Sequence, residues 1–171
     1  MIAIRASRPE DGQRAVEIWR AAVDATHHFL TPESRAEIDL AVQDFLPKTD
    51  LWLAVDEADL PIGFVIASEG RMDGLFVDPA CHGRGVGRAL VEHACVASPV
   101  LATDVNEQNP AALAFYEHLG FVRTGRSETD EDGRPYPLIH LRLESPLPRR
   151  RGRAERSPDH RPGAYGNSRL S

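Results

Sequence analysis

One stretch, LFVDPACHGRGVGRALVEHA over residues 75–94, constrains this chain more than any other. An apolar run ends at Val77 and an Asp-Pro pair follows. Gly83, Gly85 and Gly87 then alternate with Arg84, Val86 and Arg88 before a helix-like run begins. A strand that turns into a helix through glycines gathers several backbone N–H groups at the positive end of the helix dipole, an arrangement suited to a phosphate. The Walker loop is excluded, because no Gly-Lys-Ser/Thr follows the glycines. The dinucleotide fingerprint G-x-G-x-x-G fails as well, since Arg88 and Leu90 stand where its last glycine would fall. The bend also follows the fourth predicted strand rather than the first.

Around this bend the pattern predicts a mixed α/β sheet with helices on both faces, in the order β-α-α-β-β-β-α-β-α-β-β. IAIR at 2–5 opens as a strand. Ser7 is expected to cap a first helix, with Pro9 in its first turn and Glu10 completing a capping box. Ala15, Val16, Trp19, Ala22 and Val23 form its apolar stripe, which runs to about residue 25. Thr31-Pro32 opens a second helix with a stripe of Ile38, Ala41, Val42 and Phe45, ended by Pro47. LWLAVDEADLPIGFVIAS reads as two strands around an acidic turn, and RMDGLFVD as a third. A helix over 85–97 is expected to bury Val86, Ala89, Leu90, Ala94 and Ala97. VLATDVN is a strand, and Asn109-Pro110 opens a helix with a stripe of Ala112, Phe115 and Leu119, closed by Gly120. FVRTGRSET and YPLIHLRL make a final hairpin around DEDG, with Ile139, Leu141 and Leu143 facing inward.

Charge divides the chain. Residues 145–171 hold seven arginines against Glu155 and Asp159, so residues 1–144 carry −11 although the whole chain is −6. The basic segment, rich in proline and glycine, is expected to be a disordered tail beyond one domain spanning 1–144. An acidic body suits a cationic partner. No nucleic-acid partner is expected, the tail being the sole feature that would suggest one. The apolar runs LWLAV and FVIA are too short to span a bilayer, and the N-terminus has no signal-peptide h-region. Two cysteines, Cys81 and Cys95, make neither a disulfide framework nor a zinc site, and no His/Cys set suggests a metal. A reducing cytoplasm is the expected location.

His82-Gly83-Arg84-Gly85-Val86-Gly87 matches the pattern Gln/Arg-x-x-Gly-x-Gly/Ala except at its first place. Preceded by LFVDP, and followed by VNEQNPAA at 105–112 and FYEHLGF at 115–121, it resembles the GNAT superfamily of N-acetyltransferases. VDATHHFL, DVNEQN, TGRSE and GRPYPL look like the YjaB branch of bacterial acetyltransferases. The likeness covers residues 2 to about 143. It implies the GNAT fold, acetyl-CoA as co-substrate, and acetyl transfer to a primary amine, of a small molecule or a peptide, by direct attack in a ternary complex. The alternative is a module that binds acetyl-CoA as a sensor without catalysis. A homodimer is common in the superfamily.

Acyl transfer from a thioester needs the donor held, its carbonyl polarised and two protons managed. The resemblance assigns the diphosphate to the amides of 83–88, with Arg84 or Arg88 adding charge. His82 departs from the family residue and otherwise reads as a solvent-facing loop side chain. The pantetheine arm would pair with the edge of Leu75, Phe76 and Val77, where that strand splays from VLATDVN, and a backbone N–H near Val77 would polarise the carbonyl. Asn106 and Asn109 match positions that contact the arm, although Asn before Pro is also an ideal helix cap. Tyr116 is placed as the general acid that protonates the leaving thiolate. Its position at the edge of the stripe suggests a packed ring with the hydroxyl pointing out, and periodicity alone allows a mere core aromatic. For the base, Asp73, Asp104, Glu107, His27 and His28 are candidates that no spacing separates. His27 and His28 border the acceptor pocket or are simply polar loop residues, and Tyr136 is a candidate substrate contact. His93 and His140 are expected to be structural.

Overall fold

The computed structural model describes residues 1–144; the basic tail expected over 145–171 lies outside the described residues. Among the described residues seven strands form one sheet, ordered β1-β2-β3-β4-β5-β7-β6. They are β1 (Ala3–Ala6), β2 (Trp52–Val55), β3 (Pro61–Ser68), β4 (Arg71–Val77), β5 (Leu101–Asn106), β6 (Val122–Ser127) and β7 (Leu138–Leu143). Among the described residues four α-helices cover it: α1 (Gly12–Thr26), α2 (Pro32–Phe45), α3 (Val86–Ala97) and α4 (Pro110–His118). The expected order and class are observed. Among the described residues, no helix is long and apolar enough to cross a membrane.

Alternation along the strands builds two cores. On one face Leu53, Val55, Phe64 and Phe76 pack under α1 and α2 through Trp19, Val23 and Val42. On the other, Ala54, Val65, Met72, Leu101, Val105, Ile139 and Leu141 pack under α3 and α4 through Val86, Leu90 and Tyr116. Each large aliphatic side chain so buried contributes about 1.5–3 kcal/mol. A fork of ion pairs ties the two helices of the first layer. Arg20 grips both oxygens of Asp39 at 2.8 Å, and Arg35 joins Asp39 at 2.9 Å while its guanidinium lies 4.8 Å from the centre of the Trp19 ring.

Two local expectations are corrected. Ser7 and Glu10 do not cap α1. The Arg8 N–H donates to Asp11 Oδ2 at 2.7 Å across a short 3-10 turn (Pro9–Asp11), and the Ser7 hydroxyl instead accepts from Leu51 N–H at 3.0 Å. Asp11 wins because Arg5 also grips its carboxylate, at 2.8 and 3.1 Å, so one buried group serves a turn and a strand together. In α3, Ala97 is exposed and Ala89 only partly buried, while Val91 and Cys95 enter the core. The helix is rotated slightly relative to the expected stripe, because it packs across several strands rather than along one. Thr31, by contrast, caps α2 as expected, accepting from Ser34 N–H at 3.1 Å.

Candidate active site

The site begins with a strand pairing that stops. β4 and β5 run parallel and pair only through Arg71–Ala102 and Met72–Thr103. Beyond that step β4 stays with β3 and β5 stays with β7, so the two diverge and leave facing backbone edges open. A bulge in β4 marks the parting: Ile66 pairs with Gly74 and Ala67 with Met72, leaving Asp73 as the extra residue. Bulges bend the bulged strand and disrupt its ladder locally. Leu75, Phe76 and Val77 lie on the diverging edge.

At the mouth of this cleft the chain passes from Val77 through Asp78 and a 3-10 turn (Pro79–Cys81) into the glycine bend. Asp78 caps the turn, accepting from Ala80 N–H at 3.0 Å, and Arg14 fastens it to α1 at 2.6 Å. Gly83 and Gly85 have φ of +74° and +80°, which only glycine adopts without strain, and a Cβ on either would meet nothing within 4 Å. Gly85 occupies the position before α3, where the first N–H groups have no intrahelical acceptor. The open space and converging donors fit a diphosphate. Gly87 serves differently. A Cβ there would come within 3.0 Å of the Phe115 ring, so its absence lets α4 approach the start of α3. His82, Arg84 and Arg88 are exposed. Arg84 reaches back to Cys81 Sγ at 3.6 Å, and Arg88 pairs with Glu92 at 2.8 Å.

Tyr116 reaches the apex of the cleft from the α4 side. Its hydroxyl is not turned outward: the residue is 6 % exposed and hydrogen-bonds the Thr103 side chain. Thr103 is the last β5 residue paired with β4, and its own hydroxyl donates to Met72 O at 3.0 Å. Burial pushes the phenol above its ordinary range, the Thr103 bond pulling weakly the other way, so the group keeps its proton. Phe115 and Phe121 hold the ring edge-on, with centroids 5.1 and 5.2 Å away. Thr103 was not singled out in the sequence. The inward parity of Leu101, Thr103 and Val105 is the signal that would have found it.

Asn106 and Asn109 are buried and locally occupied. Asn106 Oδ1 accepts from Gln108 N–H at 3.0 Å, and Asn109 caps α4 by accepting from Ala112 N–H at 3.2 Å. Among the base candidates, Glu107 is taken up by Arg126 at 2.8 and 3.0 Å, past the end of β5. Asp73 and Asp104 both hold Arg71, at 3.0 and 2.6 Å. Desolvation raises the Asp73 carboxyl despite Arg71.

The α1–α2 connection and the β6–β7 connection meet on the opposite face. Thr31 N–H donates to the Tyr136 hydroxyl at 3.2 Å, Phe29 lies 5.9 Å from the Tyr136 ring, and His27 lies 5.2 Å from Phe29. Tyr136 is buried, so its hydroxyl pins the two loops together. Alongside, Ile38 and Ala41 of α2 face Asp132 and Arg134 across a cleft. His28 stays exposed, bonded to Ala25 O at 3.1 Å. His27 is held down to about 4, chiefly by burial, with Arg35 and His28 adding to the effect. A histidine whose folded pKa lies below its ordinary 6.5 contributes stability that is complete above 6.5 and is lost as pH falls towards 4. Linkage over that window amounts to about 2 kcal/mol between pH 7 and pH 5. Urea unfolding at the two pH values should therefore show a steeper loss for the natural chain than for His27→Gln. Equal losses would mean that the ring is hydrated in solution.

Comparison with known proteins agrees with this geometry. The acetyltransferase (GNAT) domain family matches residues 47–123. Peptidyl-lysine N-acetyltransferase YjaB of Salmonella typhimurium is 52% identical over 141 residues, covering 82% of this chain and 97% of that protein. This chain belongs to the GNAT acetyltransferase family. The YjaB enzyme of Escherichia coli is 53% identical over 141 residues, 82% of the GNAT chain described here and 96% of its relative. The solution structure of apo-form YjaB from Escherichia coli matches with a TM-score of 0.81 at 53% identity, covering 83% of this chain and 97% of that one. The ribosomal-protein-S18-alanine N-acetyltransferase of Escherichia coli shares the fold, with a TM-score of 0.58 at 23% identity over 84% of this chain and 93% of that one. This YjaB-like GNAT protein is an N-acetyltransferase, and the enzymes of its family use acetyl-CoA.

Proposed function

We propose that this enzyme transfers the acetyl group of acetyl-CoA to the side-chain amine of lysine in a peptide or protein, by direct attack within a ternary complex. The observation that carries the reading is the parting of β4 from β5 immediately after Met72–Thr103, with the Tyr116 hydroxyl held at its apex. The identity with two peptidyl-lysine N-acetyltransferases supports the choice of acceptor, and the −11 charge of residues 1–144 suits a cationic side chain.

Acetyl-CoA supplies an activated acyl group on a thiol. The amides of 83–88 hold its diphosphate, and the open edge of Leu75–Val77 takes the amide-rich arm as an added strand would be taken. Asn106 and Asn109, though occupied locally, keep acceptor and donor capacity toward the arm. Tyr116 gives its proton to the departing sulfur. A thiolate freed in the same dry apex is as poorly solvated as the phenolate would be, so burial raises both partners and leaves the transfer matched.

Incubation of the purified chain with acetyl-CoA and lysine peptides should release thiol and leave acetyl-lysine, read by a thiol reagent and by peptide mass. Binding of acetyl-CoA without thiol release above background would instead support a sensor.

A further inference from the structure

The amine poses a problem that the donor side does not solve. A lysine ammonium has a pKa of about 10.4, so at pH 7.5 roughly one molecule in a thousand is neutral and able to attack. Tyr116 keeps its proton and lies on the α4 face, so it cannot take this one.

The opposite face carries a connected set of side chains. Asp104, His140 and Ser127 stand on three adjacent strands, β5, β7 and β6. Asp104 Oδ1 is 2.6 Å from His140 Nδ1, and His140 Nε2 is 2.7 Å from Ser127 Oγ. Asp104 Oδ2 receives Arg71 at 2.6 Å, so both carboxylate oxygens are fixed. The bonding order sets the tautomer: Nδ1–H donates to the carboxylate and Nε2 accepts from the serine hydroxyl. The strand pleat puts this set on the acceptor side. Thr103 points to Tyr116 on one face and Asp104, the next residue, to the other, just past the step where the strands part. Gly125 opposite His140 leaves room for the ring, since a Cβ there would come within 3.3 Å of it. Ser127 ends β6, where the connection bearing Tyr136 begins.

We propose that Asp104, His140 and Ser127 form the proton-accepting arm of the reaction, with His140 as the base, Asp104 as its positioning residue and Ser127 as the hydroxyl through which it is reached. An N–H bond of the bound ammonium breaks and its electron pair stays on nitrogen. The proton passes through cleft water to Ser127 Oγ, and the proton of Ser127 moves to Nε2. The resulting imidazolium keeps its Nδ1–H on the Asp104 carboxylate and later returns the extra proton to solvent. Two strand spacings, roughly 10 Å, separate Ser127 from β5, so the water link is required. The other charged groups facing this set are Arg71 and Asp73 on β4 and Glu131 in the β6–β7 connection. On β7 itself, Arg142 pairs with Glu144 at 3.4 Å.

This inference rests on the lysine reading above, and the test separates the two. His140→Gln retains an amide in the gap but cannot take a proton. Its kcat/KM for a lysine peptide should fall about 100-fold at pH 7.5, the usual size of a lost acid–base group. The deficit should shrink to about fourfold or less near pH 10, where roughly three amines in ten arrive already neutral. Asp104→Asn should follow the same profile, and acetyl-CoA affinity, read by calorimetry, should stay within about twofold in both variants. A deficit that is constant across pH, or no deficit, overturns the arm while leaving lysine acetylation standing. An acetyl adduct on Ser127, seen by intact mass after acetyl-CoA is added without acceptor, also overturns it, because the serine is then a nucleophile. No turnover of any lysine peptide by the natural chain at any pH overturns the lysine reading, and the arm with it.

Discussion

Tyr116→Phe should lower kcat by about two to three orders of magnitude while leaving acetyl-CoA affinity within about twofold. The substitution removes one oxygen from a ring that is otherwise held in place by Phe115 and Phe121. Thr103 loses one partner but keeps its bond to Met72 O, so the fold should be weakened by only about 1 kcal/mol. On the proposed reading the donor is held mainly by the glycine bend and the strand edge, so binding should survive the loss of one hydroxyl. Because burial raises the phenol, the natural enzyme should show no loss of Tyr116 protonation through the neutral range, and the variant's deficit should be flat there. Steady-state kinetics with calorimetric titration of acetyl-CoA would check both statements. A variant with natural kcat removes Tyr116 from the chemistry.

Gly85→Asp should abolish useful acetyl-CoA binding, weakening it at least about 100-fold, or roughly 3 kcal/mol. Two effects on the fold oppose each other. At φ +80° a side chain is strained, but a carboxylate before the first turn of α3 favours the helix dipole. The melting temperature should therefore move little. For the ligand, both consequences are adverse. The open space beside the bend is filled, and a carboxylate is set among the amides proposed to hold phosphate. Calorimetry showing natural affinity in a folded Gly85→Asp protein would move the diphosphate elsewhere. A control is provided by Gly87, where a Cβ meets the Phe115 ring at 3.0 Å. There the damage should fall first on stability, since two helices must separate.

These two positions differ in how far the chain alone could reveal them. The glycines announce themselves, because a positive φ is a local demand that a single residue type meets. Asn109 and Thr31 were legible as caps for the same reason: donor and acceptor lie three residues apart. The capping of α1 departs from expectation because Asp11 is also gripped by Arg5 on the preceding strand β1, while Ser7 is engaged by Leu51, 44 residues away and just before β2. Nothing in YPLIHLRL shows that His140 stands between Asp104 and Ser127. That juxtaposition exists only once β7 inserts between β5 and β6.

The chain by itself determined the succession of strands and helices, the anion-ready bend at 83–88 and the aromatic pair Phe115–Tyr116, all of them matters of spacing within about a dozen residues. Tertiary structure alone decided where β4 leaves β5, that the Tyr116 hydroxyl turns inward to Thr103, and that acidic and imidazole groups gather on the far face. The physical reason is that sheet pairing joins residues tens of positions apart. Which strands become neighbours, and where a bulge ends their ladder, depends on packing two cores at once rather than on any local preference.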